Sequence, residues 1–182
     1  DEQIEALLPH LGFDKIELDL ESGTARKLDP DLSFDLSAVA KGFAVDKTAE
    51  ALGGLGYPST MVELGGEVRA MGANAAGNPW RIAVERPGIS SPTPQQIVPL
   101  SELSLATSGD YRNFFERDDR RYSHTIDPRT GRPVQHSLAS ASVLDPTCAR
   151  ADAWATAMMV LGPEEGWNLA VERDLAVLFV IY

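Results

Sequence analysis

The amino-acid sequence predicts an α+β (mixed α/β) fold, in which a single domain over residues 1–182 packs helices on a largely antiparallel sheet. Three observations favour this class. The chain is long enough for one substantial core and too short to require two. Segments with the period-2 alternation of strands outnumber segments with helical periodicity, and short turns join many of them. No fixed-period repeat and no low-complexity linker divides the chain.

The N-terminal third contains two predicted helices around a strand hairpin. A helix is expected over residues 1–11, where Gly12 ends it. Residues 13–20 alternate apolar and charged side chains, as half-buried strands do, and a turn leads to a second strand over 24–28. Apolar residues recur at helical spacing over residues 37–52, and consecutive glycines follow that segment.

The rest of the chain has short strands, then helices, then a last strand. Four prolines over residues 86–99 predict an exposed loop. A charged hairpin is expected over 114–122, with its turn at Asp118–Asp119. The other predicted strands are 60–64, 67–70, 80–85, 104–108, 138–144 and 175–182, and the other predicted helices are 148–161 and 164–172.

The charge balance excludes two classes of partner. The chain has 16 lysines and arginines against 27 aspartates and glutamates, which gives a formal net charge of −11. Nucleic acids and anionic membrane surfaces both require a cationic face, so neither is an expected partner. An anionic ligand would require a local cationic group or a metal ion to overcome the overall field.

Cysteine content and hydropathy give little further direction. The single cysteine, Cys148, cannot form an internal disulfide and is expected to be a small buried residue. No apolar run approaches the ~20 residues that a membrane span needs. No signal peptide precedes Asp1, so we expect either that a leader has been removed or that more protein lies upstream.

A first candidate binding segment is 35–42, at the start of the second predicted helix. Asp35 suits an N-cap, and Lys41 suits a solvated position, so a purely structural interpretation stays open. However, a lysine in the first turns of a helix opposes the helix dipole unless an anion is close. Small residues around it would also let a ligand approach the backbone, which makes Asp35 and Lys41 candidate ligand contacts.

Two glycine-containing segments are candidates of the same kind. Gly65 and Gly66 interrupt a strand pattern, which indicates either a β-bulge or a place where a ligand passes over the backbone. Ser108 and Gly109 follow a short strand, which indicates either a plain turn or a binding loop.

His124 is the sharpest single candidate. It is flanked by Ser123 and Thr125, and residues typical of turns follow it. Neighbours of this kind can fix the tautomer of an imidazole and leave its other nitrogen facing a substrate.

Asp152 and Thr156 are four residues apart on a predicted helix, so both side chains lie on one face of it. Such a pair is often a capping or core feature. A carboxylate, a hydroxyl and a backbone carbonyl from another segment would nevertheless suit Mg²⁺, which prefers oxygen ligands and keeps several waters.

Taken together, the motifs resemble those of a known family. The segments DLSAVAKGFAVD, VELGGEVRAMG, LATSGDYRNFF, RYSHTIDPRTGRPV and ADAWATAMMVLGPEEG, in this order, closely resemble the FAD:protein FMN transferases, the ApbE-type flavin transferases. The resemblance runs from about Phe13 to Tyr182, and five ordered motifs are far more specific than any one of them.

The resemblance implies an ApbE-like fold and a magnesium-dependent transferase. Such an enzyme splits the pyrophosphate of FAD, releases AMP, and attaches FMN by a phosphoester to a threonine of a target flavoprotein. It implies Ala38 (through its carbonyl), Asp152 and Thr156 as Mg²⁺ ligands, and His124 as a flavin contact and proton acceptor. The residues that it implies for binding FAD are Asp35, Lys41, Gly65, Gly66, Ser108, Gly109, His124 and Thr125.

The chain departs from the family in length, because members normally carry a further N-terminal portion of over a hundred residues. We therefore expect an open apolar face, which associates with that missing part or with a second copy. The family also implies a periplasmic location, or one at the outer face of the bacterial inner membrane.

Two other functions fit the same motifs. A magnesium-dependent FAD pyrophosphatase would use water in place of the threonine, and a non-catalytic FAD-binding protein would need no proton acceptor.

Overall fold

The computed structural model describes residues 2–87, 93–110, 114–117 and 120–182, of which 114–117 and 120–121 are described by their backbone alone. The helices are α1 (Glu2–Leu7), α2 (Ser37–Gly54) and α3 (Cys148–Glu172). The strands are β1 (Ile16–Asp19), β2 (Thr24–Lys27), β3 (Thr60–Leu64), β4 (Glu67–Met71), β5 (Trp80–Glu85), β6 (Pro94–Leu100), β7 (Leu103–Gly109), β8 (Phe114–Arg117), β9 (Arg120–Ser123), β10 (Ile126–Asp127), β11 (Arg132–Pro133), β12 (Leu138–Asp145) and β13 (Ala176–Ile181).

An antiparallel sheet of five strands, in the order β13–β12–β7–β4–β3, organises the described part of the chain. Helix α3 packs across β7 and β12, and α2 lies beside α3 against β3 and β4. The remaining strands form two-stranded hairpins. The predicted α+β class, with helices packed on a largely antiparallel sheet, is confirmed.

The two faces of the sheet support two hydrophobic clusters. Met158 and Met159 of α3 pack with Val143 of β12 in the first cluster. Leu105 belongs to the second cluster, which includes the β5–β6 hairpin, whereas its neighbour Ala106 belongs to the first. This division follows from the alternation of side chains along a strand. The clusters fix the ends of β7 and α3, where several candidate site residues lie.

Three predicted elements differ from the structure by more than one or two residues at their ends. The first helix ends at Leu7, and a 3₁₀ turn containing Pro9 follows it, because a proline cannot donate the next helical hydrogen bond. The predicted strand over 13–20 begins with a 3₁₀ turn and is extended only over Ile16–Asp19. The predicted loop over 86–99 contains most of β6, whose prolines are tolerated because the strand pairs only with β5.

Helix α3 contains the two helices that the sequence predicts, joined by a kink. Gly162 has a φ of 78°, outside the helical region, and Pro163 follows it. A proline favours the first turn of a helix, so the second helical segment begins here. Among the described residues, no helix is both long and apolar enough to cross a membrane.

The predicted hairpin over 114–122 is present as the antiparallel pair β8–β9. Its predicted turn at Asp118–Asp119 lies outside the described residues, as does Tyr111, which follows the Ser108–Gly109 motif.

Large apolar side chains are exposed mainly in the first third of the chain. Leu20, in the turn of the β1–β2 hairpin, is 89% exposed, and Phe13, before the hairpin, is 75% exposed. Phe43 on α2 and Met61 on β3 are also exposed. These side chains are the exposed apolar residues that the sequence analysis expects on an open face.

Gly42 allows α2 and α3 to approach until their backbones touch. A Cβ atom on Gly42 would lie 2.6 Å from the carbonyl carbon of Cys148 and 2.8 Å from the Cα of Ala149. Both neighbours are backbone atoms, which cannot move aside as a side chain can. Any larger residue at this position must therefore push the two helices apart.

Asp46, one turn further along α2, caps the N-terminus of α3. Its carboxylate accepts hydrogen bonds from the amides of Cys148 and Ala149, both at 2.9 Å, and from the guanidinium of Arg69 at 2.7 Å. Thr147, at the N-cap position of α3, makes no side-chain capping bond. A carboxylate from a neighbouring helix thus supplies the acceptor that the free amides at the start of α3 require.

We expect Gly42→Ala to lower the free energy of unfolding by about 1–3 kcal/mol, because overpacking against backbone outweighs the better helix propensity of alanine. The matched control is Gly54→Ala, since a Cβ on Gly54 of the same helix meets nothing within 4 Å. This control should be neutral or stabilising by at most about 1 kcal/mol. Urea unfolding of both variants measures the difference, and equal effects would contradict the close helix contact.

Candidate functional site

One cavity of about 820 Å³ brings the candidate residues together. Its walls come from the start of α2, the turn between β3 and β4, strand β5, the end of β7, the segment after β9, and α3. The candidate residues that line it are Asp35, Ala38, Lys41, Gly65, Gly66, Ser108, Gly109, His124, Thr125, Asp152 and Thr156. The fold thus places every candidate residue at one cavity, while the role of each remains a prediction.

Asp152 is buried at the contact between the two helices. Its Oδ2 atom accepts a hydrogen bond of 3.0 Å from the Gly42 amide. In a regular helix the same amide faces the carbonyl of Ala38, four residues earlier. The Asp152 carboxylate therefore lies beside the turn of α2 that begins at Ala38, and both residues line the cavity.

Thr156 lies one turn after Asp152 on the same face of α3. Its hydroxyl shares a hydrogen bond of 3.2 Å with the hydroxyl of Ser108 at the end of β7. This bond joins α3 to the sheet at the cavity, and it places a second oxygen donor on the face that carries Asp152.

Lys41 and Glu67 form an ion pair that the sequence analysis missed. The Nζ atom of Lys41 lies 2.7 Å from Oε2 of Glu67, whose side chain is 1% exposed, whereas the Lys41 side chain is 48% exposed. Oε2 has no hydrogen bond of good angle in the described residues, so the contact is electrostatic. The sequence shows a glutamate directly after two glycines, but only the fold shows that Lys41 is the lysine that faces it.

Burial raises the pKa values of two acids here. Desolvation is the main cause for Glu67, and the nearby charge of Asp152 adds to it, while Lys41 acts in the opposite direction. Desolvation also raises the pKa of Asp152, against the Gly42 hydrogen bond and the charge of Lys41. Two buried carboxylates thus depend on one lysine, and a further cation beside them would be favourable.

Gly65 and Gly66 form a hairpin turn rather than a bulge within a continuous strand. Leu64 pairs with Glu67 across β3 and β4, so the two glycines are the whole loop. Their φ angles are +62° and +104°. Two-residue hairpins require positive φ at such positions, which glycine adopts without strain. The resulting turn borders the cavity with bare backbone.

Asp35 combines a structural contact with a place on the cavity wall. Its Oδ1 atom accepts a hydrogen bond of 2.8 Å from the amide of Ser37, the first residue of α2. Hydrogen bonding to Ser37 holds the pKa of the Asp35 carboxyl below its ordinary value. The side chain is exposed, so it stays ionised and accessible to a ligand.

His124 is exposed at the cavity, and a turn that begins at the buried Asp127 follows it. The Thr125 amide donates to the hydroxyl of Ser123 at 3.1 Å. Further along, Arg129 donates to the buried carboxylate of Asp127 and also to Glu165 of α3, at 2.8 Å. These bonds connect the segment to α3 and fix the position of the backbone that carries the imidazole.

Comparison with known proteins identifies the family. The sequence model described as the ApbE family matches residues 1–179. The chain belongs to the ApbE family. It is 44% identical, over 181 residues, to an FAD:protein FMN transferase of Vibrio cholerae, and 43% identical, over 183 residues, to that of Haemophilus influenzae.

Solved structures of ApbE proteins share the fold. The Pseudomonas stutzeri flavinyl transferase ApbE matches all of this chain with a TM-score of 0.86 and 42% identity, and the Vibrio cholerae flavin transferase ApbE does so with 0.87 and 40%. This chain covers 55% and 57% of those chains. It likewise spans about half the length of the curated relatives, 54% and 53%.

The raised pKa of Glu67 gives a pH-dependent prediction for stability in metal-free buffer. An acid with a raised folded pKa stabilises the fold most below its ordinary pKa, here 4.5, and that contribution is lost as the pH rises through the folded value. Glu67→Gln removes this loss. The Tm of the variant minus that of the unchanged protein should therefore increase between about pH 4.5 and 7.

Thermal unfolding at a series of pH values measures this difference. Glu50→Gln is the control, since it removes one carboxylate from an exposed lysine–glutamate pair on α2. A Tm difference for Glu67→Gln that is constant, or that falls with rising pH, would contradict the assignment.

Proposed function

We propose that this chain carries the reaction site of an FAD:protein FMN transferase. The reaction cleaves FAD, releases AMP, and joins FMN by a phosphoester to a threonine of a target flavoprotein. The relatives named above carry this activity in their names. The observation that carries the proposal is the charge of the cavity, because its described lining combines oxygen donors with a single lysine or arginine, Lys41.

Four carboxylates line the cavity, from Asp35, Glu63, Glu85 and Asp152. Among the described residues that line it, Lys41 is the only lysine or arginine. A pyrophosphate with two negative charges would meet net repulsion in this setting. The cavity therefore requires a bound cation before it can hold a dinucleotide.

The donor set fits Mg²⁺. Ala38, Asp152 and Thr156 all line the cavity, where they would offer a backbone carbonyl, a carboxylate and a hydroxyl. These are hard oxygen donors, and Mg²⁺ binds such donors while it keeps several waters. When bound, Mg²⁺ would neutralise charge on the pyrophosphate and orient it.

The chain's own residues would bind and orient FAD, and one of them would accept a proton. Lys41 would pair with the pyrophosphate, and the Gly65–Gly66 turn, Ser108 and Gly109 would leave room for the dinucleotide against bare backbone and hydroxyls. Asp35 and Thr125, which also line the cavity, would contact FAD.

In the transfer step, the threonine oxygen forms a bond to the phosphorus of the FMN half, and the bond from that phosphorus to the AMP oxygen breaks. His124, exposed at the cavity, would accept the proton of the attacking hydroxyl. AMP leaves with the electron pair of the broken bond.

We also propose a partner for the exposed apolar face and a location for the protein. The preceding portion of a family-length chain, or a second copy, would cover Phe13, Leu20 and their neighbours. A monomer of residues 1–182 in sedimentation, over a range of concentrations, would contradict this.

The proposed location is the periplasm or the outer face of the inner membrane, as the resemblance implies.

Incubation with FAD and Mg²⁺, with and without a threonine-bearing acceptor domain, tests the function. The protein should release AMP and add the mass of FMN to the acceptor, and Asp152→Asn should reduce both by about 100-fold or more through loss of the metal. AMP and FMN without transfer would indicate a pyrophosphatase, and bound FAD without products would indicate a binding protein.

The control is Asp14→Asn, which makes the same chemical change at an exposed aspartate paired with Lys15. It should leave AMP release and transfer within about twofold of the parent. His124→Gln forms a second arm, in which transfer should slow by about 100-fold, a larger effect than its loss of FAD affinity. Equal transfer by the parent and Asp152→Asn would refute the metal assignment.

A further inference from the structure

Glu67 lies behind the cavity wall. Its neighbours Gly65, Gly66 and Val68 line the cavity, but its own side chain is 1% exposed and does not. The carboxylate instead reaches the Nζ atom of Lys41, at 2.7 Å. Lys41 does line the cavity, so this buried acid contacts the site through one flexible cation.

The glycine turn packs over this pair. A Cβ atom on Gly65 would lie 3.6 Å from Cδ of Lys41 and 3.7 Å from Oε2 of Glu67, both at ordinary contact distance. The hairpin backbone therefore covers the lysine stem and the carboxylate together. This arrangement shields the ion pair from water on one side and leaves the ammonium accessible on the other.

Burial opposes the charge of Glu67. The pKa of Glu67 is raised despite the adjacent ammonium, so burial disfavours the charged carboxylate more than Lys41 favours it. Buried ion pairs often stabilise less than apolar residues of the same volume. The contact between Glu67 and Lys41 at 2.7 Å therefore invites an explanation other than stability.

We propose that Glu67 is a positioning residue, whose buried carboxylate holds the Lys41 ammonium at the cavity wall in reach of the dinucleotide pyrophosphate. This inference rests on the proposed transfer reaction. A lysine side chain has four rotatable bonds, and a half-exposed one samples many conformers. An ion pair with a fixed, buried partner removes most of that freedom before the substrate arrives, as preorganised charges do in enzymes.

Glu67→Gln should affect KM for FAD and kcat differently. Loss of a negative charge behind the wall makes the site less repulsive, so KM for FAD should stay within about threefold of the parent or fall. Loss of the anchor displaces the ammonium, so kcat should fall by about 10- to 100-fold. A split between kcat and KM is the signature of a misplaced group.

A double-mutant cycle decides whether Glu67 acts through Lys41. In the full gene product, kcat is measured for the parent, Glu67→Gln, Lys41→Met and the double variant. Positioning predicts that Glu67→Gln lowers kcat in the parent but changes it by less than about twofold once Lys41 is methionine. Glu50→Gln, at an exposed lysine–glutamate pair of the same 2.7 Å separation, is the control and should retain the parent kcat.

Thermal unfolding gives a readout that needs no activity. Lys41→Met leaves Glu67 buried without its counter-ion and should lower Tm by several degrees, and adding Glu67→Gln should restore most of that loss. An unrestored Tm, an equal fall of kcat in both backgrounds, or an unchanged kcat in Glu67→Gln would overturn the proposal. If the parent transfers no FMN, the proposed function fails, and the Tm cycle still tests the pairing.

Discussion

The contact between α2 and α3 is the constraint on which the cavity depends. Gly42 lets the two backbones touch, Asp46 accepts hydrogen bonds from the first amides of α3, and Asp152 accepts one from Gly42 in return. Each helix thus supplies a carboxylate to an amide of the other. Two helix starts over a hundred residues apart in sequence are held together by these bonds, and the candidate metal ligands lie at this junction.

The charges around the junction explain why the site requires a cation. Asp152 and Glu67 are both buried, desolvation raises the pKa of each, and the charge of Lys41 acts on both in the opposite direction. Folding alone leaves this region with an excess of negative charge. A divalent ion at the oxygen donors would reverse the local field, so that a pyrophosphate could bind a protein whose net charge is −11.

Candidate residues that lie on ordered motifs could be predicted from the sequence. Residues whose role depends on contacts between distant parts of the chain could not. The spacing of Asp152 and Thr156 placed both on one helix face, and the cavity confirms that they share a wall with Ala38. The role of Asp46 was not predicted, because a capping residue is usually adjacent in sequence to the helix that it caps. Glu67 was missed because its partner, Lys41, is distant from it in sequence. The prolines of β6 misled because edge strands tolerate them.

The most direct test of the account is a crystal structure of the protein with FAD and Mn²⁺, a hard cation that resembles Mg²⁺ and scatters anomalously. The account predicts an anomalous peak at about 2.0–2.3 Å from oxygens of Ala38, Asp152 and Thr156, with the pyrophosphate of FAD on its open side. A peak elsewhere in the cavity, with Asp152 bonded only to the Gly42 amide, would contradict it.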